Sequence, residues 1–273
     1  MNKLKKIAAI NDLSGSSRCS LTVAIPIIAA KGLQCCVMPT AILSNHTGYE
    51  HYFFDDYTDK MEYFTHNWQM QNLKFDGIYT GFLGSENQIE VVSDFIKKFR
   101  KKDTKLIVDP VMGDNGEIYT TYTSSMCYAM RKITAMADVV TPNITEACVL
   151  ADVPYISEFI DDEQATDMCR KIYDLGAKNV VLTGVKEKDI ISNYVYDGKE
   201  IKKYSCPLMS TYFSGTGDVF SSIVASDVTN GKSIFESAQF ATHYIHKVTE
   251  YSQAAGLAWE EGICIEKFIK ELI

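Results

Sequence analysis

At 273 residues the chain has room for two ordinary domains, and it is also a comfortable length for one large α/β domain. With 46% hydrophobic and 23% charged residues it reads as globular, not disordered. The formal net charge of −8 excludes a general nucleic-acid binder, because neutralising phosphates takes a basic face.

The amino terminus, "MNKLKKIAAINDLSG", resembles a signal peptide only briefly, since its apolar part, Ile7 to Ile10, runs at once into Asn11 and Asp12. No stretch reaches the roughly 18 apolar residues that a membrane span needs, so a cytoplasmic protein is expected. Lys/Arg clusters are limited to "KLKK" at the start and "KKFRKK" at 97–102, the second reading as the solvated end of a helix. The eight cysteines include no Cys-x-x-Cys pair, and Cys35 and Cys36 are adjacent in an apolar strand. They read as small buried hydrophobes, with no structural metal expected.

Along the chain, strand-like runs alternate with helix-like ones. The strand candidates are "KIAAIN", "QCCVMPTAIL", "FDGIYTGFL", "TKLIVDPV", "ADVVTPN" and "NVVLTGV". Between the third and fourth lies "NQIEVVSDFIKKFRKK", where Ile89, Val92, Phe95, Ile96 and Phe99 share one helical face. Strands that are apolar almost throughout belong to a parallel sheet covered on both faces. The alternation predicts a doubly wound, mostly parallel α/β sheet in a single domain, 1–273. After Val185, "ISNYVYDGKEIKKY" alternates around Asp197–Gly198 and predicts an antiparallel hairpin bordering that sheet. Then comes "SGTGDVF", followed by three helical segments.

Ligands of an open parallel sheet gather beyond the carboxyl ends of its strands. The unusual residues fall there: Asp12 after the first strand, "SNHTGY" after the second, "TGFLGS", "DPVMGD", "TPNITE" and "TG" after the rest. In "SGTGDVFSSIVASDV" a helix is expected to begin near Gly217, with small residues before it that leave backbone N–H groups pointing outward at an anion-binding helix terminus. Asp218 lies in that first turn. Locally it is a favourable first-turn carboxylate; functionally it is a base, although the terminus is expected to lower its pKa. In "TPNITEA", Asn143 and Glu146 make a capping box, or Glu146 helps to hold the water shell of Mg²⁺. Asp114 sits in a turn between Gly113 and Gly116. Asp109 ends an apolar strand and needs a partner. His46 is either a satisfied polar residue or a ring that touches a ligand. His51, His66, His243 and His246 show no metal spacing.

Together these motifs resemble the ribokinase-like superfamily and, within it, the pyridoxal/pyridoxamine/pyridoxine kinases. "GTGD" at 215–218 matches the Gly-x-Gly-Asp signature, "NITE" at 143–146 the Asn-x-x-Glu motif, and "SNHTGY" the segment that walls the ring pocket. The resemblance spans roughly residues 5 to 230. It implies that Asp218 is the base and that the N–H groups of Gly215, Thr216 and Gly217 form an anion hole. It implies Mg²⁺ at Asp109, Asn143 and Glu146, and ATP near Asp114, Thr141, Thr183, Gly184, Gly215 and Thr216. Asp12, His46, Thr47 and Phe82 would line the substrate ring. The implied cofactors are ATP and Mg²⁺, with a monovalent cation such as K⁺ as a further one to test; the implied assembly is a homodimer, and the partners are small molecules, with no nucleic acid or membrane.

Two departures fall in the substrate pocket. "NDLSGSS" after the first strand is closer to the Asp-x-Ser-Gly-Gly opening of hydroxymethylpyrimidine kinases, with Ser16 at the second glycine, and Phe82 stands where many pyridoxal kinases have Tyr. A hydroxymethylpyrimidine kinase of the thiamin route is therefore the first alternative, and a non-catalytic nucleotide-binding protein the second. A nicotinamide dehydrogenase fails because no G-x-G-x-x-G follows the first strand. Residues 206–214, "CPLMSTYFS", have the position of a lid over the phosphates.

Overall fold

A computed structural model describes residues 4–155 and 157–273; the first three residues, which belong to the amino-terminal and "KLKK" readings, lie outside the described residues. The strands are β1 (Lys6–Ser14), β2 (Gln34–Leu43), β3 (Phe54–Asp56), β4 (Gly77–Thr80), β5 (Lys105–Val108), β6 (Gly113–Asp114), β7 (Glu117–Ile118), β8 (Val139–Val140), β9 (Val180–Glu187), β10 (Ile190–Tyr196) and β11 (Ile201–Pro207). The helices are α1 (Ser20–Ala30), α2 (Thr58–Met70), α3 (Glu86–Phe99), α4 (Ser124–Thr134), α5 (Ile144–Ala151), α6 (Asp162–Asp174), α7 (Thr216–Asn230) and α8 (Ile234–Ala254).

One nine-stranded sheet runs in the order β11-β10-β9-β8-β5-β4-β1-β2-β3, with β6 and β7 forming a separate two-stranded flap. From β9 across to β2 the pairs are parallel. The antiparallel β10–β11 hairpin borders this block as the sequence predicts. At the opposite edge, β3 pairs antiparallel with β2 and was not foreseen. It is only three residues long, too short to show an alternation.

Period-two alternation distributes the apolar strands between two cores. Ala8 and Ile10 face one with Ile78, Leu106, Val108 and Val140; Ile7 and Ala9 face the other with Tyr79, Ile107, Val139 and Val181. Helices α2 to α6 cover the first face, while α1, α7 and α8 cover the second. Each fully buried Ile, Leu or Val among them contributes about 1.5–3 kcal/mol, which is why both faces must be covered. On α3, Ile89, Val92, Phe95, Ile96 and Phe99 are buried as expected, and the helix ends at Phe99, inside the basic run. All eight cysteines are free. Among the described residues no helix is long and apolar enough to cross a membrane.

Two expectations change. Beyond α7 and α8 the chain closes with three 3₁₀ turns, starting at Trp259, Ile265 and Ile269, in place of a third α-helix; Gly256 and Gly262, both at positive φ, interrupt the helical spacing. And β1 continues past Asn11 through a bulge to Ser14, so Asp12 lies within the strand and not after it.

Strand order places the site. The chain moves from β1 outward to β2, then returns across β1 to β4 and onward to β5, β8 and β9, so the connections reverse direction between β1 and β4. Open α/β sheets take their ligands in the crevice at such a switch point, beyond the carboxyl ends of the strands.

Candidate active site

Helix α7 enters this crevice through Gly215, which has φ +75° and no side chain to cap the helix. A Cβ on Gly215 would stand 2.1 Å from the Arg18 carbonyl oxygen, so the chain can approach the loop before α1 only with glycine there. A Cβ on Gly217 would meet nothing within 4 Å, so the space before the first turn is open. Thr216 and Gly217 open the helix, so their backbone N–H groups have no partner within it and lie at the positive end of the helix dipole.

Asp218 follows in the first turn. Asn11 Nδ2 donates to its Oδ1 at 3.0 Å. Burial pushes its carboxyl up to about 6, with the Asp12 charge adding to the rise and the Ser20 N–H and Asn11 amide opposing it. This reverses the expectation of a lowered pKa: the dipole is outweighed by desolvation among protein atoms, although part of the residue still meets the cleft.

Asp109 and Glu146 form a second cluster across the rim, 6% and 4% exposed. Ser221 Oγ donates to Asp109 Oδ2 at 2.8 Å, and Thr141 Oγ1 lies 2.8 Å from Ser221 Oγ, so the hydroxyls run Thr141 to Ser221 to Asp109. Glu146 accepts from two backbone N–H groups, Asn143 at 2.9 Å and Met112 at 3.1 Å. Asn143 accepts from Glu146 N in return and donates to the Gly113 carbonyl. Burial holds both carboxyls well above the usual range, and the charge of Glu146 raises Asp109 further. Among the described residues neither has a basic partner.

Asp114 lies on the β6–β7 flap, where Tyr212 donates to its Oδ2 at 3.0 Å. Thr183 donates to the Pro142 carbonyl, and the N–H of Gly184, at φ +76°, donates to Asn193 Oδ1 at 3.0 Å. At the β1 end, Ser14 Oγ donates to Asp12 Oδ2 at 2.8 Å. His46 resolves into one tautomer: Nδ1 accepts from Gly48 N at 3.0 Å, so Nε2 carries the proton it gives to the Glu260 carbonyl at 2.8 Å. Its ring nitrogens are both engaged, and its faces remain for contact, with Tyr49 and Trp259 rings 5.0 and 6.1 Å away. Thr47 is exposed beside it, and Phe82 is half-buried at the end of β4.

A family model described as phosphomethylpyrimidine kinase matches residues 25–261. The chain belongs to that family. A Bacteroides thetaiotaomicron protein described as a candidate phosphomethylpyrimidine kinase, crystallised with pyridoxal, is 41% identical, with a TM-score of 0.94 over 99% of this chain and 96% of that one. A candidate pyridoxal kinase of Caenorhabditis elegans is 29% identical over 237 residues, 77% of this chain and 71% of its own length. A rice (Oryza sativa subsp. japonica) chloroplast protein, named as a candidate bifunctional enzyme of thiamine biosynthesis, is 28% identical over 187 residues, 67% of this chain; the match spans only 33% of the rice protein. Relatives named for both branches that the motifs suggested thus match the chain, and the doubly wound, ribokinase-like fold is the one observed.

Three participants were not singled out in the sequence. Asn11 looked like the end of a strand, Tyr212 fell unmarked within the segment read as a lid, and Trp259 lay in the last of the helical segments. Only Asn11 left a signal, since a polar residue directly after "IAAI" and before Asp12 has to find a partner inside.

Proposed function

We propose that the protein is an ATP-dependent kinase that phosphorylates the hydroxymethyl group of pyridoxal, pyridoxine or pyridoxamine, giving the 5′-phosphate. The observation that carries this reading is the uncapped start of α7, with Asp218 beside it at the switch point. The N–H groups of Gly215, Thr216 and Gly217 hold the oxygens of the transferring phosphoryl group. The acceptor oxygen bonds to the γ-phosphorus, the bond to the ADP leaving oxygen breaks, and Asp218 takes the hydroxyl proton. A carboxylate raised to about 6 is a better acceptor than an ordinary one and is still ionised at neutral pH.

Two buried carboxylates without a cation fit a Mg²⁺ that keeps waters and takes phosphate oxygens. Asp109 and Glu146 would hold it, with Asn143 fixing the Glu146 carboxylate; bound there, Mg²⁺ supplies charge neutralisation on the phosphates. Asp114, Thr141, Thr183 and Gly184 border the nucleotide. Asp12, Thr47, Phe82 and the face of His46 line the ring. We also take the chain as a single domain that forms homodimers, for which one unfolding transition and a dimer mass by light scattering are the expected results.

The second reading, a hydroxymethylpyrimidine kinase, is favoured by the Asp12–Ser14 pair, which matches the Asp-x-Ser opening of that branch. ADP release with MgATP and each of pyridoxal, pyridoxine, pyridoxamine and hydroxymethylpyrimidine separates the two. Fastest turnover on a pyridine supports the first reading, preference for the pyrimidine replaces it with the second, and silence on all four leaves a nucleotide-binding protein.

A further inference from the structure

We propose that Asn11 is a positioning residue that presents Asp218 to the reacting hydroxyl, an inference that rests on Asp218 being the base. Asn11 is fully buried. Its amide oxygen accepts two backbone N–H groups, from Asp12 at 2.9 Å and from Phe82 at 2.8 Å. Two donors on one atom settle which end of the amide is oxygen, so the NH₂ group must face Asp218. The bond it donates engages Asp218 Oδ1 and, with the Ser20 N–H, fixes how the carboxylate is turned.

The placement is built into the sheet. Gly81 N donates to the Ile10 carbonyl at 2.8 Å, as in any parallel pair. In a continuing strand the next N–H, that of Phe82, would face β5; here the chain turns after Gly81 and that N–H donates to the Asn11 side chain. The amide stands in for backbone at this turn and carries its position to α7. Gly81 makes room for it: a Cβ there would lie 2.3 Å from Asn11 Nδ2 and 2.7 Å from Oδ1. The titratable groups around Asp218 are Asp12 on β1, Cys19 at the start of α1, Tyr79 on β4, Asp109 beyond β5, Tyr119 after the flap and Tyr212 before α7, none of them cationic. Among side chains, Asn11 is therefore the donor that orients the ionised carboxylate, and it does so from a rigid strand.

The test is a double-mutant cycle between Asn11 and Asp218. Asn11→Asp keeps the volume and an oxygen for both N–H groups, but 3.0 Å from Asp218 the two carboxyls share one proton, so Asp218 is no longer free to take another. At neutral pH it is expected to lower kcat at least about 10- to 100-fold, the order for losing a hydrogen bond to a charged group, with KM for both substrates little changed. Asp218→Asn alone should abolish most turnover, and adding Asn11→Asp to it should cost nothing more. Gly81→Ala, which pushes the amide aside without altering it, should show the same dependence on Asp218 and serves if Asn11→Asp does not fold. A wild-type kcat for both single variants, or an equal loss in the Asp218→Asn background, overturns the inference. Wild-type turnover for Asp218→Asn itself overturns the reading of the base, a separate and distinguishable result.

Discussion

Helices α5 and α7 both begin at the strand-end rim, and they begin in opposite ways. At α5, Asn143 and Glu146 exchange bonds through a complete capping box, which uses the N–H groups of these two residues. At α7 the first residue is a glycine in the left-handed region with no side-chain cap, and the donors face open space. The same local feature, a helix N-terminus with an acidic residue in its first turn, is closed in one place and open in the other. The anion proposed above would use the donors of α7, while at α5 the carboxylate is turned inward to the Met112 N–H and toward Asp109. Capping box and metal site are not rival explanations of Glu146: the box fixes the carboxylate that a metal would use.

The contrast is broken most directly at Asp218. Asp218→Asn is expected to lower kcat by roughly 10² to 10⁴ while ATP affinity, measured by calorimetry, stays near wild type. In the wild type, kcat/KM should fall as pH drops through about 6, because a base raised to that value is protonated below it. An acidic limb nearer the ordinary carboxylate range would mean that the cleft hydrates Asp218.

Gly215→Ala closes the open terminus without touching a side chain of the site. The new Cβ meets the Arg18 carbonyl and forces a positive φ on alanine, so the donors shift. We expect kcat to fall about 10²-fold or more, on the scale of a lost oxyanion donor, with a lower Tm from about 1–2 kcal/mol of strain. Retained activity would show that the donors at α7 hold no phosphoryl oxygen.

Much of the fold was legible because burial on both sheet faces leaves an unbroken apolar run: "QCCVMPTAIL" is β2 residue for residue. The site motifs were legible where chemistry and backbone coincide, as at Gly215, whose conformation only glycine adopts comfortably. What stayed hidden depends on distance in the chain. Asn11 meets Asp218 across 207 residues, and the pKa of Asp218 is set by the atoms around it, not by its place in the helix. His46 became one tautomer only when Gly48 and Glu260 were placed against it.

Glu146→Gln sharpens the α5 side. The amide oxygen can still accept the Asn143 N–H, so the helix should remain capped, while the Met112 N–H loses its acceptor and the charge offered to Mg²⁺ is lost. The Mg²⁺ concentration for half-maximal rate is expected to rise about tenfold. A dependence that matches wild type would leave Glu146 as a cap alone.

The smallest effect is expected where the two sides touch, at the hydrogen bond from Tyr212 to Asp114. The segment before α7 is tied to the rest of the fold at several points. Thr211 N and Ser210 Oγ both donate to Gln253, and Ser214 N donates to the Trp259 carbonyl. Tyr212 alone among these reaches across to the flap. The bond is half open to solvent, so its loss should be worth about 0.5–1.5 kcal/mol. Tyr212→Phe should therefore raise KM for MgATP roughly 2- to 10-fold with kcat unchanged, because the flap loses its anchor but Asp218 keeps its own. A lower KM would reverse the picture: the bond would then be a latch that nucleotide must break, and the α7 side would be closed until ATP opens it.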